Sequence, residues 1–238
     1  MSEFRFNRVL LKLSGEALKG DREHGYQAEA IAEIVSRIKG ILDQGVEVAL
    51  VVGAGNLWRG LAGSSSGMDR VRADQMGMLA TMMNALALEE YFRQCGVSAL
   101  VQSAYGVDGM LERFSAAKAR AALSAGQPVI FAGGTGNPYC TTDTASVLRA
   151  LETECDAVLK ATKVNGIYSA DPKKDPTAER FSTLSFDQAL ELNLKVMDST
   201  AFSLCRDNDL PIIVFDFAEP GALEAVLKGD TSCGTIVS

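Results

Sequence analysis

Ala121-Ala-Leu-Ser-Ala-Gly-Gln-Pro-Val-Ile-Phe-Ala-Gly-Gly-Thr-Gly-Asn-Pro-Tyr-Cys-Thr-Thr142 is the longest uncharged run of the chain. Its length raises the question of a membrane span, and its composition answers it. Gly126, Pro128, Gly133, Gly134, Gly136 and Pro138 interrupt it well short of the roughly 20 predominantly apolar residues that a spanning helix needs. What remains is a short strand, Pro128–Ala132. It is entered from a helical pattern over Phe114–Ala125 and left through a glycine-rich turn into a second helical pattern, Thr142–Leu151. Helix, strand, glycine loop and helix in that order form one unit of an α/β protein.

The same alternation extends both ways. Upstream are strands at Val9–Leu13, Val46–Val52 and Val97–Val101, with helical spacing over Gln27–Asp43 and Met76–Cys95. Downstream come a strand from Ala157 to Lys160, helices at Phe186–Leu194 and Ser199–Asn208, a strand at Ile212–Phe215, a helix at Gly221–Leu227 and a strand at Thr235–Val237. This order predicts an α/β three-layer sandwich, a mainly parallel sheet covered by helices on both faces. There is no repeat, linker or charge block. The polar stretch Ser169–Ser182 is the one candidate internal boundary, so residues 1–238 are expected to form a single domain of two lobes.

Composition removes several function classes. The 23 Lys+Arg and 30 Asp+Glu of this 238-residue chain leave a formal charge of −7, unlike the basic stripe of a nucleic-acid binder. A small anionic ligand needs only a local positive site. The one histidine, His24, excludes a multi-histidine metal centre and argues against Ser-His-Asp catalysis. Cys95, Cys140, Cys155, Cys205 and Cys233 are odd in number and contain no C-x-x-C pair, so they read as reduced thiols. With no signal-peptide core in Met1–Arg8, the chain is expected to be soluble and cytoplasmic.

Ligands of a parallel sheet sit beyond the carboxyl ends of its strands. Four such ends carry unusual residues. Lys12-Leu13-Ser14-Gly15 joins a strand lysine, a hydroxyl and an unhindered amide, a phosphate-like set whose bland reading is a snorkelling lysine. Gly53-Ala54-Gly55-Asn-Leu-Trp58-Arg59-Gly offers close backbone approach and a guanidinium clamp, or simply a tight turn; Trp58 in place of a third glycine weakens any dinucleotide reading. Gly133–Asp143 concentrates glycines, Asn137 and threonine hydroxyls ahead of a helix that Thr142 or Asp143 can cap. Lys160-Ala-Thr162-Lys163 closes another strand, with Tyr168 offering an aromatic edge to a base. No G-x-x-x-x-G-K-[ST] occurs. Lysines, backbone amides and aspartates remain, a set suited to phosphoryl transfer, where positioning and charge neutralisation supply most of the rate.

In this order the four loops resemble the amino-acid kinase family, and within it the bacterial-type uridylate (UMP) kinases. The most specific pieces are Gly136-Asn-Pro with its Thr-Thr-Asp sequel, Asp74-Gln-Met-Gly-Met-Leu-Ala-Thr, Leu159-Lys-Ala-Thr-Lys-Val and Lys195-Val-Met-Asp. The resemblance implies transfer of the ATP γ-phosphate to UMP, giving UDP and ADP in pyrimidine nucleotide biosynthesis. It implies an acceptor lobe at roughly 1–155 and an ATP lobe at roughly 156–238, with Lys12, Leu13, Ser14 and Gly15 on the ATP phosphates. Gly55, Arg59, Thr162, Tyr168 and Asp171 match further ATP positions. Ala54, Asp74, Thr135, Gly136, Asn137, Pro138, Tyr139, Cys140, Thr141 and Thr142 match the UMP side. Two positions depart from the family pattern: Ala54 stands where Gly is usual, and Asn165 where Lys-Val-Asp-Gly is common.

The mechanism implied is in-line attack by a UMP phosphate oxygen. Lys12 and a second lysine, Lys160 or Lys163, neutralise charge, with Mg²⁺ on the β- and γ-phosphates. Asp143 and Asp198 would orient the lysines and the metal, the plain alternative for Asp198 being a helix N-cap. The protein ligands of the metal are not legible. Family likeness further implies a homohexamer, with the Met76–Cys95 helix near a subunit contact. It also implies an allosteric enzyme activated by GTP and inhibited by UTP, the Gly20–Gly25 stretch resembling a GTP-responsive loop. No membrane or nucleic-acid partner is expected. The competing readings are a carboxylate kinase of the acetylglutamate or aspartate type, and a non-catalytic nucleotide sensor.

Overall fold

Strand β1 (Arg8–Leu13) shows how the layers arise. Successive side chains of a strand point to opposite faces, so Val9, Leu11 and Leu13 enter one core while Leu10 enters the other. Lys12 shares the face of Leu10. Strands β2 (Glu47–Val52) and β5 (Val129–Ala132) divide in the same way, with Val48, Leu50 and Ile130 on the first face and Ala49, Val51 and Phe131 on the second. Helices α1 (Glu16–Lys19), α2 (Ala28–Leu42), α3 (Arg70–Gln94) and α8 (Ala222–Leu227) cover the first face. Helices α4 (Ala116–Ser124), α5 (Thr142–Glu152), α6 (Phe186–Glu191) and α7 (Ser199–Asp207) cover the second. The computed structural model describes residues 4–58, 67–172, 174–194 and 196–238.

The apolar spacing of α2 explains its docking. Ile31, Ile34, Val35, Ile38 and Ile41 form one stripe and all are buried. Each is worth about 1.5–3 kcal/mol of apolar transfer, so truncating Ile38 to Ala should cost about 2–5 kcal/mol.

The remaining strands of the main sheet are β3 (Leu100–Ser103), β4 (Glu112–Arg113), β6 (Ala157–Thr162), β9 (Thr183–Leu184), β10 (Ile212–Asp216) and β11 (Gly234–Val237). Their order is β4-β3-β5-β2-β1-β6-β10-β11-β9, parallel except for the antiparallel β10–β11 pair. A separate antiparallel pair joins β7 (Ile167–Tyr168) to β8 (Arg180–Phe181). The chain winds outward from β1 in both directions, through β2 on one side and β6 on the other. The crevice beyond the ends of those three strands is therefore the topological switch point. Lys12 lies in register with Val51 of β2 and with Lys160 of β6.

Two element starts differ by three residues or more from the sequence expectation. Helix α3 begins at Arg70 rather than Met76, because Asp69 caps it by accepting from Arg72 N at 3.1 Å. Strand β3 starts at Leu100 rather than Val97, whose amide instead closes the end of α3 by donating to Phe92 O at 2.9 Å. The elements α1, β4 and β7–β9, each of two to four residues, left no legible pattern in the sequence. No helix among the described residues is long and apolar enough to cross a membrane.

Candidate active site

Lys12 and Lys160 are lateral neighbours on adjacent parallel strands, where spacing is about 4.8 Å. The first turn of α5 delivers Asp143 between them. Lys12 Nζ lies 2.7 Å from Oδ1, and Lys160 Nζ donates to Oδ2 at 2.8 Å and to the Val196 carbonyl at 2.6 Å. All three side chains are largely withdrawn from water, 15%, 18% and 13% exposed for Lys12, Lys160 and Asp143. Burial by itself raises the Asp143 carboxyl, but the two ammonium groups outweigh it and hold the carboxyl below its ordinary value. Burial pushes Lys160 down, Asp143 opposes that, and the neighbouring Lys12 adds to it. Two cations on one carboxylate leave one positive charge without a protein counter-ion inside the triad. That excess suits a polyanion arriving at the strand ends.

The first two loops interlock above this triad. A Cβ built on Gly15 would lie 2.3 Å from the Gly53 carbonyl oxygen and 2.7 Å from Gly55 N, so only glycine fits. Gly53 N extends the β1–β2 ladder by donating to Leu13 O at 3.0 Å. Leu13 itself is core, so only its backbone is presented to a ligand. In the third loop Gly133 and Gly134 take φ of +74° and +60°, conformations that side chains disfavour.

The cap of α5 is Thr141, not Thr142 or Asp143. Its Oγ1 accepts from Asp143 N at 3.0 Å, and its hydroxyl donates to Asp198. Asp198 also accepts from the Thr144 hydroxyl at 2.9 Å and caps α7 through Ala201 N at 2.9 Å. It thus ties the first turns of α5 and α7 together and serves as an N-cap, outside direct contact with the lysines.

Two cavities flank the triad. The first, about 120 Å³, is lined by Ala54, Asp74, Met78, Thr135, Cys140, Thr141 and Thr142 among others. Asp74 accepts from Arg70 Nε at 2.8 Å and from Tyr139 N at 2.8 Å, where Tyr139 adopts φ of +67°. Gly136, Asn137, Pro138 and Tyr139 belong to the same loop without lining the cavity. The Tyr105 hydroxyl donates to Gly136 O, and Asn137 N donates to Thr135 Oγ1 at 3.0 Å.

The second cavity, about 530 Å³, is lined by Lys160, Thr162, Val164, Tyr168, Asp171 and Leu194 with neighbours. Tyr168 donates to Asn165 Oδ1 at 2.6 Å, so Asn165 orients the ring. Lys163 stays outside the triad, 80% exposed and 3.9 Å from Glu16. Arg59 and Lys195 lie outside the described residues. His24 is exposed, 3.5 Å from Glu23.

Sequence reading missed Thr81, Asn56 and Asn84, which are buried beneath the loops. For Thr81 and Asn84 the signal was a polar residue at core-facing helical spacing, with Leu88 on the same face of α3, whereas Asn56 in its loop left none. Among the described residues no group of three or more His, Cys, Asp or Glu is placed to hold a metal.

A sequence-family model described as "Amino acid kinase family" matches residues 7–216. Among solved structures, the UMP kinase from Bacillus anthracis is 36% identical with a TM-score of 0.94, over 98% of this chain and 96% of that one. The UMP kinase from Ureaplasma parvum is 38% identical with a TM-score of 0.92, over 98% and 99%. The uridylate kinase from Archaeoglobus fulgidus is 26% identical with a TM-score of 0.73, over 97% and 99%. With the nine-stranded sheet, the interlocked glycine loops and these likenesses in agreement, the chain belongs to the amino acid kinase family.

Proposed function

We propose that the protein is a UMP kinase, moving the γ-phosphoryl group of ATP onto UMP. The observation that carries this is the buried Lys12–Asp143–Lys160 triad between two cavities, in a chain similar over 98% of its length to UMP kinases. The smaller cavity takes UMP and the larger takes the adenosine of ATP. The donor and acceptor phosphates meet over the triad.

A UMP phosphate oxygen attacks the γ-phosphorus in line and ADP leaves. A phosphomonoester with a second pKa of about 6 is already largely dianionic near neutral pH, so no general base is required. Lys12 and Lys160 compensate charge on the transferring group, and Asp143 holds both ammonium groups in place. Asp74 faces the UMP ribose, residues 135–142 wrap its base and phosphate, and Tyr168 with Thr162 and Asp171 receives adenosine. Lys163, exposed and outside the triad, is an ATP-tail contact in this reading rather than a third member of the triad. This division supports an acceptor lobe of roughly 1–155 and a donor lobe of roughly 156–238.

The carboxylates near the triad are engaged, Asp143 by lysines and Asp198 by hydroxyls and an amide. That set fits Mg²⁺ carried mainly on nucleotide oxygens, with Asp143 and Asp198 as outer partners, rather than a protein cage. Bound there, the ion would neutralise phosphate charge. Self-association is supported by Met76, Leu79 and Met83, exposed along α3 at helical spacing by 40%, 59% and 55%. A hexamer, GTP activation, UTP inhibition and a cytoplasmic setting complete the reading, on family likeness.

The test is ADP release with ATP and, in parallel, UMP, CMP, acetylglutamate and aspartate. UMP-dependent release is expected. Release with an amino acid alone would overturn the proposal.

A further inference from the structure

Two fully buried carboxamides lie beneath the site, Asn56 in the second glycine loop and Asn84 on α3, 1% and 0% exposed. They form a reciprocal pair. Asn56 Nδ2 donates to Asn84 Oδ1 at 3.0 Å, and Asn84 Nδ2 donates to Asn56 Oδ1 at 2.8 Å. The second hydrogen of Asn84 goes to the Gly53 carbonyl at 2.8 Å, and that of Asn56 to the Gly25 carbonyl at 3.1 Å. Gly25 N returns a bond to Asn56 O at 3.0 Å. Each carboxamide has two N–H donors, so every donor of the pair is used and the arrangement is unique.

The pair bears on catalytic geometry because Gly15 rests on it. A Cβ at Gly15 would meet Asn56 Oδ1 at 2.7 Å and Gly53 O at 2.3 Å. The height of those two oxygens therefore sets the height of the Ser14–Gly15 backbone. On the same face of α3, three residues before Asn84, Thr81 Oγ1 accepts from Gly133 N at 2.9 Å, the start of the third loop. One rigid helix thus grips Gly53 through Asn84 and Gly133 through Thr81.

We propose that Asn84, acting through Gly53 and Asn56, is a positioning residue that together with Thr81 fixes the separation of the glycine loops presenting the two nucleotides' phosphates. This rests on the kinase reading above. Asn84 touches no substrate, and its effect is on distance. Misplacement by about 1 Å costs on the order of 10² in rate.

The decisive variant is Asn84→Asp. Its carboxylate still accepts from Asn56 Nδ2 but cannot donate to Gly53 O or Asn56 Oδ1. Buried against those oxygens it titrates well above an ordinary aspartate, and when protonated it regains one donor. Turnover of Asn84→Asp is expected to fall about 10- to 100-fold at pH 8 and to recover in part toward pH 6, a profile absent from the parent protein. Thr81→Val, which removes the Gly133 acceptor together with the local bond that the hydroxyl donates to Met78 O within α3, is expected to raise the KM for UMP and lower kcat, and it decides the matter if Asn84→Asp does not fold. Leu123→Ala, in the opposite core layer, supplies a destabilised control with unchanged kcat below its melting temperature.

A parent protein without UMP-dependent ADP release would defeat the functional reading and this inference with it. An active parent with both loop variants at parental kcat and KM across pH overturns the positioning role alone. So does a loss in Asn84→Asp that Leu123→Ala reproduces at equal melting temperature.

Discussion

Replacing Asp143 with asparagine keeps the shape of the triad and removes its only negative charge. Lys12 and Lys160, 2.7 and 2.8 Å from the present carboxylate and both more than four-fifths buried, then face each other across adjacent strands. Removing one partner of a buried ion pair costs about 3–5 kcal/mol. At about 2–4 °C per kcal/mol for a chain of this size, the melting temperature at pH 7 should drop by on the order of 10 °C. The sign with pH follows from linkage. Asp143 has a depressed folded pKa, so its contribution is present above the unfolded value of about 3.9 and is lost as pH falls through the lower folded one. The deficit of the variant should therefore shrink in acid.

It should also shrink toward pH 10. Lys160, already lowered by burial, loses the carboxylate that supported its charge and falls further. Between its folded and unfolded pKa values the unfolded state binds more protons, so stability of the variant rises with pH across that window. Thermal melts from pH 3 to 10, followed by the fluorescence of Trp58, the single tryptophan, measure both limbs. Melting within 2 °C of the parent at pH 7 would refute the buried-triad reasoning, since a solvated pair is worth at most about 1 kcal/mol.

The remaining expectations share the same assays. Lys12→Ala should lose on the order of 10²–10³ in kcat, the scale for one preorganised charge-stabilising group, whereas Lys163→Ala, at an exposed lysine, should stay within about fivefold. The alkaline limb of kcat/KM should fall at a pH below the ordinary lysine value of about 10.4, as Lys160 loses its proton. Burial pushes the thiols of Cys155 and Cys205 up to about 12, so iodoacetamide at pH 8 should spare them and label exposed Cys95 and Cys140. UMP should protect Cys140, which lines the smaller cavity, and leave Cys95 labelled; mass spectrometry of the peptides reads this directly.

The parallel sheet was legible because β1, β2, β5, β6 and β10 are apolar runs, each closed by a glycine or polar turn. The site was legible because lysine is costly inside such runs, which marks Lys12 and Lys160 without any partner being known. What the sequence could not carry was lateral register. Nothing local says that Lys12 stands opposite Lys160, or that Asp143 falls between them. That required the docking of α5 over both strands. The start of α3 was misread for a different reason: Arg70–Gln75 is mostly polar, and the Asp69 cap, not apolar spacing, marks its beginning. Asn56 and Asn84 escaped notice because one amide in a loop and another in a methionine-rich helix look unrelated until the fold stacks them.

The Lys12–Lys160 register has an evolutionary corollary. Side chains of a strand alternate strictly, so adding or deleting one residue within β1 or β6 would turn its lysine toward the α2 and α3 layer, away from Asp143. Exchange of Leu10 or Val158 for another apolar residue leaves both lysines where they are. The two strands therefore forgive spelling and punish miscounting: lineages of this protein can drift in composition along β1 and β6, while changes of length are confined to the connections around them.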